Sequence, residues 1–107
     1  MSSFHDRQKA EEAKFAVDAE LRFKAVARRN KLLGLWAAEK LGKTGAQAEE
    51  YARSVILSDF EEPGDEDVFR KVRADFDAAG VDQSDHQIRR EMDELLVRAA
   101  AEVRSGV

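Results

Sequence analysis

The side chains that could do chemistry are few and scattered. The densest carboxylate group is Asp59, Glu61, Glu62, Asp65, Glu66 and Asp67, and hard cations such as calcium bind where several carboxylate oxygens converge. A helix-flanked calcium loop needs alternating ligands and a glycine at its sixth position. Counted from Asp65, the third and fifth positions are Asp67 and Phe69, Arg70 stands where the glycine is required, and the late glutamate is missing. The run therefore reads as a solvated turn between helices, and no metal is expected. His5 and His86 lie far apart, and neither has a second ligand three or four residues on. The serines lack a nucleophile elbow and the histidines lack the context of a base. With no cysteine in the chain, thiolate chemistry and disulfides are absent too. No phosphate-binding glycine loop is present, so no cofactor is expected and no catalytic residue is assigned. The chain reads as a non-enzyme.

The other charged feature is the basic cluster Arg28, Arg29 and Lys31, preceded by Arg22 and Lys24. It is short, Arg28 and Arg29 point in different directions on a helix, and the rest of the chain is acidic, so nucleic acid is not expected as a partner. A charged helix face making salt bridges is the expectation. The net charge of −4 is unevenly spread: residues 1–31 hold eight Lys/Arg against five Asp/Glu, and the remainder is acidic. That asymmetry fits a basic leader facing an acidic partner.

The elements that must position these residues are helical. At 107 residues there is room for one core. Ala, Leu, Glu, Lys and Arg are abundant, and Pro63 is the sole proline. A first helix can run from near Phe4 to Leu41. Phe15, Ala19, Phe23, Val26, Leu33, Ala37 and Leu41 form one apolar row, interrupted by Asn30, and Leu21, Ala25, Leu32, Leu35 and Trp36 widen it. Apolar side chains cover most of the circumference from Leu32 to Leu41, so other helices must surround that segment. Beyond Met1, residues 1–14 offer only Phe4 as a large apolar side chain, too little burial to offset ordering entropy. They are expected to form a mobile arm, with 15–107 as the bundle.

Gly42 is the expected cap of that helix, and Thr44 with Gln47 predicts a capping box for the second. The second helix carries Ala48, Tyr51, Ala52, Val55, Ile56 and Phe60 and should stop before Pro63 and Gly64. Asp65, Glu66 and Asp67 suit the start of a third helix, whose seam is Val68, Phe69, Val72, Phe76 and Ala79, ended by Gly80. Ser84 with Gln87 predicts a second capping box, opening a helix with the seam Ile88, Met92, Leu95, Leu96, Ala99 and Val103. Short connections argue for antiparallel neighbours: an all-α four-helix bundle.

The segment RRNKLLGLWAAEKLG resembles the zeta subunits of the F-type ATP synthase of alphaproteobacteria, and FHDRQKAEEAKFAVDAEL, SDFEEPGDEDVFRKVRADFDAAGV and SDHQIRREMDELL extend the resemblance over nearly the whole chain. The resemblance implies a four-helix bundle with an N-terminal inhibitory region that blocks ATP hydrolysis. In that family the region enters the catalytic head between a catalytic and a noncatalytic subunit, beside the central rotor, and becomes helical there. By the same resemblance Phe4, Asp6, Arg7, Glu11, Lys14 and Phe15 are the contact positions, with the two phenylalanines supplying burial and the charges fixing register. Two positions depart from the family's start: His5 stands where an acidic pair begins after the phenylalanine, and Gln8 where a glutamate follows the arginine. The arm is less negative for it, and His5 could make docking pH dependent.

A helical adaptor binding some other protein is the alternative reading. The start of the chain is charged where a secretory signal would be apolar, and no stretch approaches the ~20 apolar residues of a membrane span. The expectation is a cytoplasmic protein, monomeric when free, peripheral to the inner membrane through the synthase.

Overall fold

Apolar side chains at intervals of three and four, on a chain rich in helix formers, fold into four helices in the computed structural model. It describes residues 3–61 and 64–106, with side chains from position 19 onward. The helices are α1 (Ser3–Lys40), α2 (Ala46–Ser58), α3 (Glu66–Ala79) and α4 (Asp85–Ser105). No strand occurs among the described residues, and the all-α, four-helix expectation holds.

The turns show which local signals set the boundaries. At the end of α1, Gly42 adopts φ 76°; its N–H donates to Glu39 O at 3.1 Å, and the Lys43 N–H donates to Ala38 O at 2.8 Å. That bond pair satisfies the last carbonyls of the helix at a position where a side chain would be strained. Gly80 ends α3 in the same way, with the Val81 N–H donating to Phe76 O at 2.9 Å, and Val81 then packs on the core. At α4 the Ser84 hydroxyl accepts from the Gln87 N–H at 3.1 Å, while the Gln87 side chain accepts from the Ser84 N–H at 2.8 Å. That capping box is as expected. The box expected at Thr44 does not form: Gly45, at φ 55°, is the residue before α2, and no side chain caps the helix. The positive φ at Gly45 delays the helix by one residue, so the Thr44 hydroxyl is out of register with the amide it would have capped. Glu62 and Pro63, expected to stop α2, lie outside the described residues; α2 ends at Ser58.

Helix α1 is the hub and touches each of the other three. Its Leu33, Ala37 and Ala38 are buried against Tyr51 and Val55 of α2, Val68, Phe69, Val72 and Phe76 of α3, and Ile88, Met92 and Leu95 of α4. Each large side chain fully withdrawn from water contributes about 1.5–3 kcal/mol. The Trp36 and Phe76 rings meet with centroids 5.7 Å apart and planes tilted by 60°, within the favoured range for aromatic pairs. α1 and α4 run antiparallel: Leu21 and Arg22 of α1 lie by Arg104 near the end of α4, and Trp36 and Lys40 by Gln87 near its start, with Arg28 meeting Glu102 at 3.5 Å. At 1.5 Å per residue, the 38 residues of α1 span about 57 Å, and the molecule measures 65 × 25 × 22 Å. The first turns of α1 therefore continue past the ends of its neighbours.

Several expected core positions lie outside it. Phe23 is 70% exposed: two residues from the buried Ala25, it sits about 200° round the helix and faces away from α4. Phe60 is also exposed, because α2 ends before reaching it. Ala19, next along the same row as Phe23, and Ala79, in the last turn of α3, are exposed too.

At Gly34 helices α1 and α2 approach to backbone contact. A Cβ built on Gly34 would lie 2.5 Å from Ala52 Cα and 3.0 Å from Ala52 Cβ, so only glycine lets α1 and α2 cross this closely. An alanine in a helix interior ordinarily gains about 1 kcal/mol over glycine, whereas overpacking costs about 1–3 kcal/mol. Because the obstructing atom is backbone, overpacking wins. Gly34→Ala is expected to lower the melting temperature by several degrees in thermal denaturation; a value at or above the parent's would refute the close crossing.

Candidate functional site

The six contact positions implied by the resemblance, Phe4, Asp6, Arg7, Glu11, Lys14 and Phe15, all fall on the first turns of α1. Their backbone is helical and continuous with the rod that reaches Lys40. Eleven steps from position 4 to position 15 cover about 16 Å of axis. Their side chains, and those of His5 and Gln8, lie outside the described residues. One helix thus carries both the positions that the resemblance implies and the bundle's hub.

What fixes it is a polar clasp. Arg29 is 1% exposed and Asn30 likewise. The Arg29 Nε donates to Asn30 Oδ1 at 2.8 Å, and its Nη2 donates to Asp65 Oδ1 at 2.7 Å. Asp65 is the residue preceding α3 and is half exposed, so the pair reaches from the interior to the surface. Asp59, which caps α2, joins through a side-chain hydrogen bond with Asn30. Asp67 in the first turn of α3 is buried and accepts from the Val68 N–H at 2.8 Å. The α2–α3 junction thus closes onto the middle of α1 with carboxylates around a buried guanidinium. No described buried side-chain polar atom lacks a partner, the condition under which such a cluster is tolerable in the interior.

The basic cluster and the acidic run, separate in the sequence, meet here. The expectation of a solvated acidic turn is corrected in part: Asp67 is inside and Asp65 is paired. The interruption at Asn30 was the legible signal, because a polar residue within an apolar row marks buried hydrogen bonding. The acidic run's partner in Arg29 could not be read from local sequence.

Other polar groups tie helices together. The Tyr51 hydroxyl donates to Asp75 Oδ2 at 2.8 Å, and Lys71 Nζ donates to the same oxygen at 3.0 Å. Burial, then Asp75 as hydrogen-bond acceptor and as a charge, push the Tyr51 phenol above its ordinary range, so it keeps its proton at neutral pH and joins α2 to α3. Arg73 spans α3 and the start of α4 through Asp77 at 2.6 Å, Asp85 at 3.1 Å and Gln83 O at 2.6 Å. Arg89 meets Glu66 at 3.1 and 3.2 Å and lies 3.9 Å over the Phe69 ring. Its hydrogen bonds hold the Glu66 carboxyl below the ordinary range. The hydroxyls of Ser54, Ser58 and Ser105 donate to backbone carbonyls, and His86 is exposed. Among the described residues no group of three or more His, Cys, Asp or Glu is placed to hold a metal. No described helix is long and apolar enough to cross a membrane.

Asp59 gives the clasp a pH signature. Burial first, then the charge of Asp67, raise its carboxyl above the ordinary value, while the Asn30 hydrogen bond and Arg29 pull it back and Asp65 adds to the rise. A carboxyl that holds its proton to higher pH when folded is ionised at the expense of the fold. The penalty is present above the folded pKa and disappears below the unfolded one. Asp59→Asn keeps an acceptor oxygen without the charge. It is expected to melt above the parent at pH 7, with the gap closing as pH falls below the ordinary carboxylate range; a variant that melts lower at pH 7 would contradict the assignment.

Comparison with known proteins gives the geometry a family. Curated proteins yield no match. A solved solution NMR structure is similar at 45% identity and a TM-score of 0.72, over 81% of this chain and 99% of the other. The family model described as ATPase inhibitor subunit zeta matches residues 1–102. With nearly the whole length matched, this chain belongs to the ATPase inhibitor subunit zeta family.

Proposed function

We propose that the chain is an inhibitory regulatory subunit of an F-type ATP synthase, without catalysis of its own, and that residues 1–14 are a mobile arm. The arm enters the catalytic head at an interface between a catalytic and a noncatalytic subunit, close to the central rotor, and blocks ATP hydrolysis. Family membership supports the inhibitory role. The observation that carries the arm reading is the length of α1, whose first turns continue past the bundle while its remainder is anchored in it.

Inhibition by such a wedge is a matter of populations. A segment that binds one rotary state far better than the others holds the motor there until it is expelled. Phe4 and Phe15 supply the apolar burial, and Asp6, Arg7, Glu11 and Lys14 set register through charge. Any order that the arm gains on docking costs several kcal/mol, which the interface must exceed. The bundle, too wide to follow, stays outside and sets how far the rod goes in. Localisation follows the partner: the chain is cytoplasmic and peripheral to the inner membrane through the synthase.

The test is ATP hydrolysis by the cognate enzyme with the full chain and with residues 1–14 deleted, circular dichroism confirming that the shortened chain keeps its helices. The expected result is strong inhibition by the full chain and a loss of at least tenfold in potency on deletion, about 1.4 kcal/mol or more. Undiminished inhibition by the shortened chain would reject the arm.

A further inference from the structure

Where α1 leaves the bundle, it and the end of α4 form a groove of about 440 Å³. Leu21 and Ala25 of α1 and Leu96, Val97 and Ala100 of α4 line it, with Arg22 and Arg104 among the lining residues. Val97 is 73% exposed. Among the described residues neither arginine takes part in an ion pair, unlike Arg28, Arg73, Arg89, Arg90 and Arg98. An apolar floor flanked by two guanidinium groups matches a partner that presents apolar side chains flanked by carboxylates. A second copy of the same face is a poor occupant, because a two-fold contact would bring four arginines together.

Position fixes where that partner must be. Leu21 is six residues beyond Phe15 on the same helix, about 9 Å along the axis. A protein gripping α1 as far as Phe15 necessarily stands at the mouth of the groove. We infer that the groove between α1 and the end of α4 is a second docking surface, which receives an acidic amphipathic helical segment on the outside of the same ATPase head that the arm enters. The inference rests on the inhibitory reading above and adds to it. The arm confers the block, and the groove slows departure.

The full-length chain tests this. Dissociation from immobilised, purified ATPase head is followed for the parent, for Val97→Asp and for Arg104→Glu, two exposed positions whose substitution leaves the core intact. Each variant is expected to dissociate at least tenfold faster than the parent, and Arg104→Glu to lose the salt sensitivity the parent shows. Both should still inhibit fully at saturating concentration. A photo-crosslinker at position 97 is expected to capture an acidic helical segment of a head subunit. Parent-like dissociation of both variants from a head that the parent inhibits would overturn the groove while leaving the arm standing. Cross-linking only between copies of this chain would overturn it too. A parent chain that neither binds nor inhibits the head would overturn both readings.

Discussion

A guanidinium taken out of water must be met by charge and hydrogen bonds, and Arg29 imposes that requirement on the fold. Removing one partner from a buried ion pair typically costs about 3–5 kcal/mol, less where one side remains wet, as at Asp65. Asn30 accepts from its Nε, Asp65 from its Nη2, and Asp59 closes the set through Asn30. Since Asp59 ends α2 and Asp65 precedes α3, satisfying one arginine on α1 fixes where two other helices stop and start. Directional bonds to one guanidinium add to the apolar packing in fixing the register of the rod. Specificity of this kind is the best-supported use of a buried ion pair, whose net stabilisation is commonly small.

The clasp and the crossing at Gly34 lie five residues apart on α1 and act together. Gly34 lets α2 approach to backbone contact, and Arg29 then meets the junction at which α2 ends. Beyond the clasp toward the N-terminus, α4 is the neighbour, through Arg28 and Glu102 and through Ala25. Past Leu21 the rod outruns α4 as well. Helix strength on that outer stretch depends on propensity and local charge pairs such as Glu20 with Lys24, worth a few tenths of a kcal/mol each. Anchoring thus declines along one helix from the buried hub to the outer turns. That gradient suits the proposed arm, which would act away from the bundle.

Much of this was legible in the sequence, for identifiable reasons. The seams of α3 and α4 were readable because buried faces repeat at helical spacing, and Val68, Val72, Phe76, Ile88 and Met92 are all inside. Gly42, Gly80 and the Ser84–Gln87 box were readable because each signal is local. Phe23 and Phe60 misled because helical spacing marks a face but not where the neighbouring helix ends. Thr44 misled because Gly45 offered the chain another way into α2. The clasp stayed hidden because Arg29 and Asp65 are 36 residues apart, and nothing near either one names the other. The contact positions came from resemblance alone, since nothing in their spacing marks an inhibitory surface.

Amide hydrogen exchange along α1, in the free chain and in its complex with the ATPase head, examines the gradient most directly. A rod held by its inner half should exchange slowly from Ala25 to Ala38 and much faster before Leu21 when free, with protection spreading to the turns from Phe4 to Phe15 in the complex. Uniform slow exchange from Phe4 to Ala38 in the free chain, or outer turns left unprotected in the complex, would contradict it.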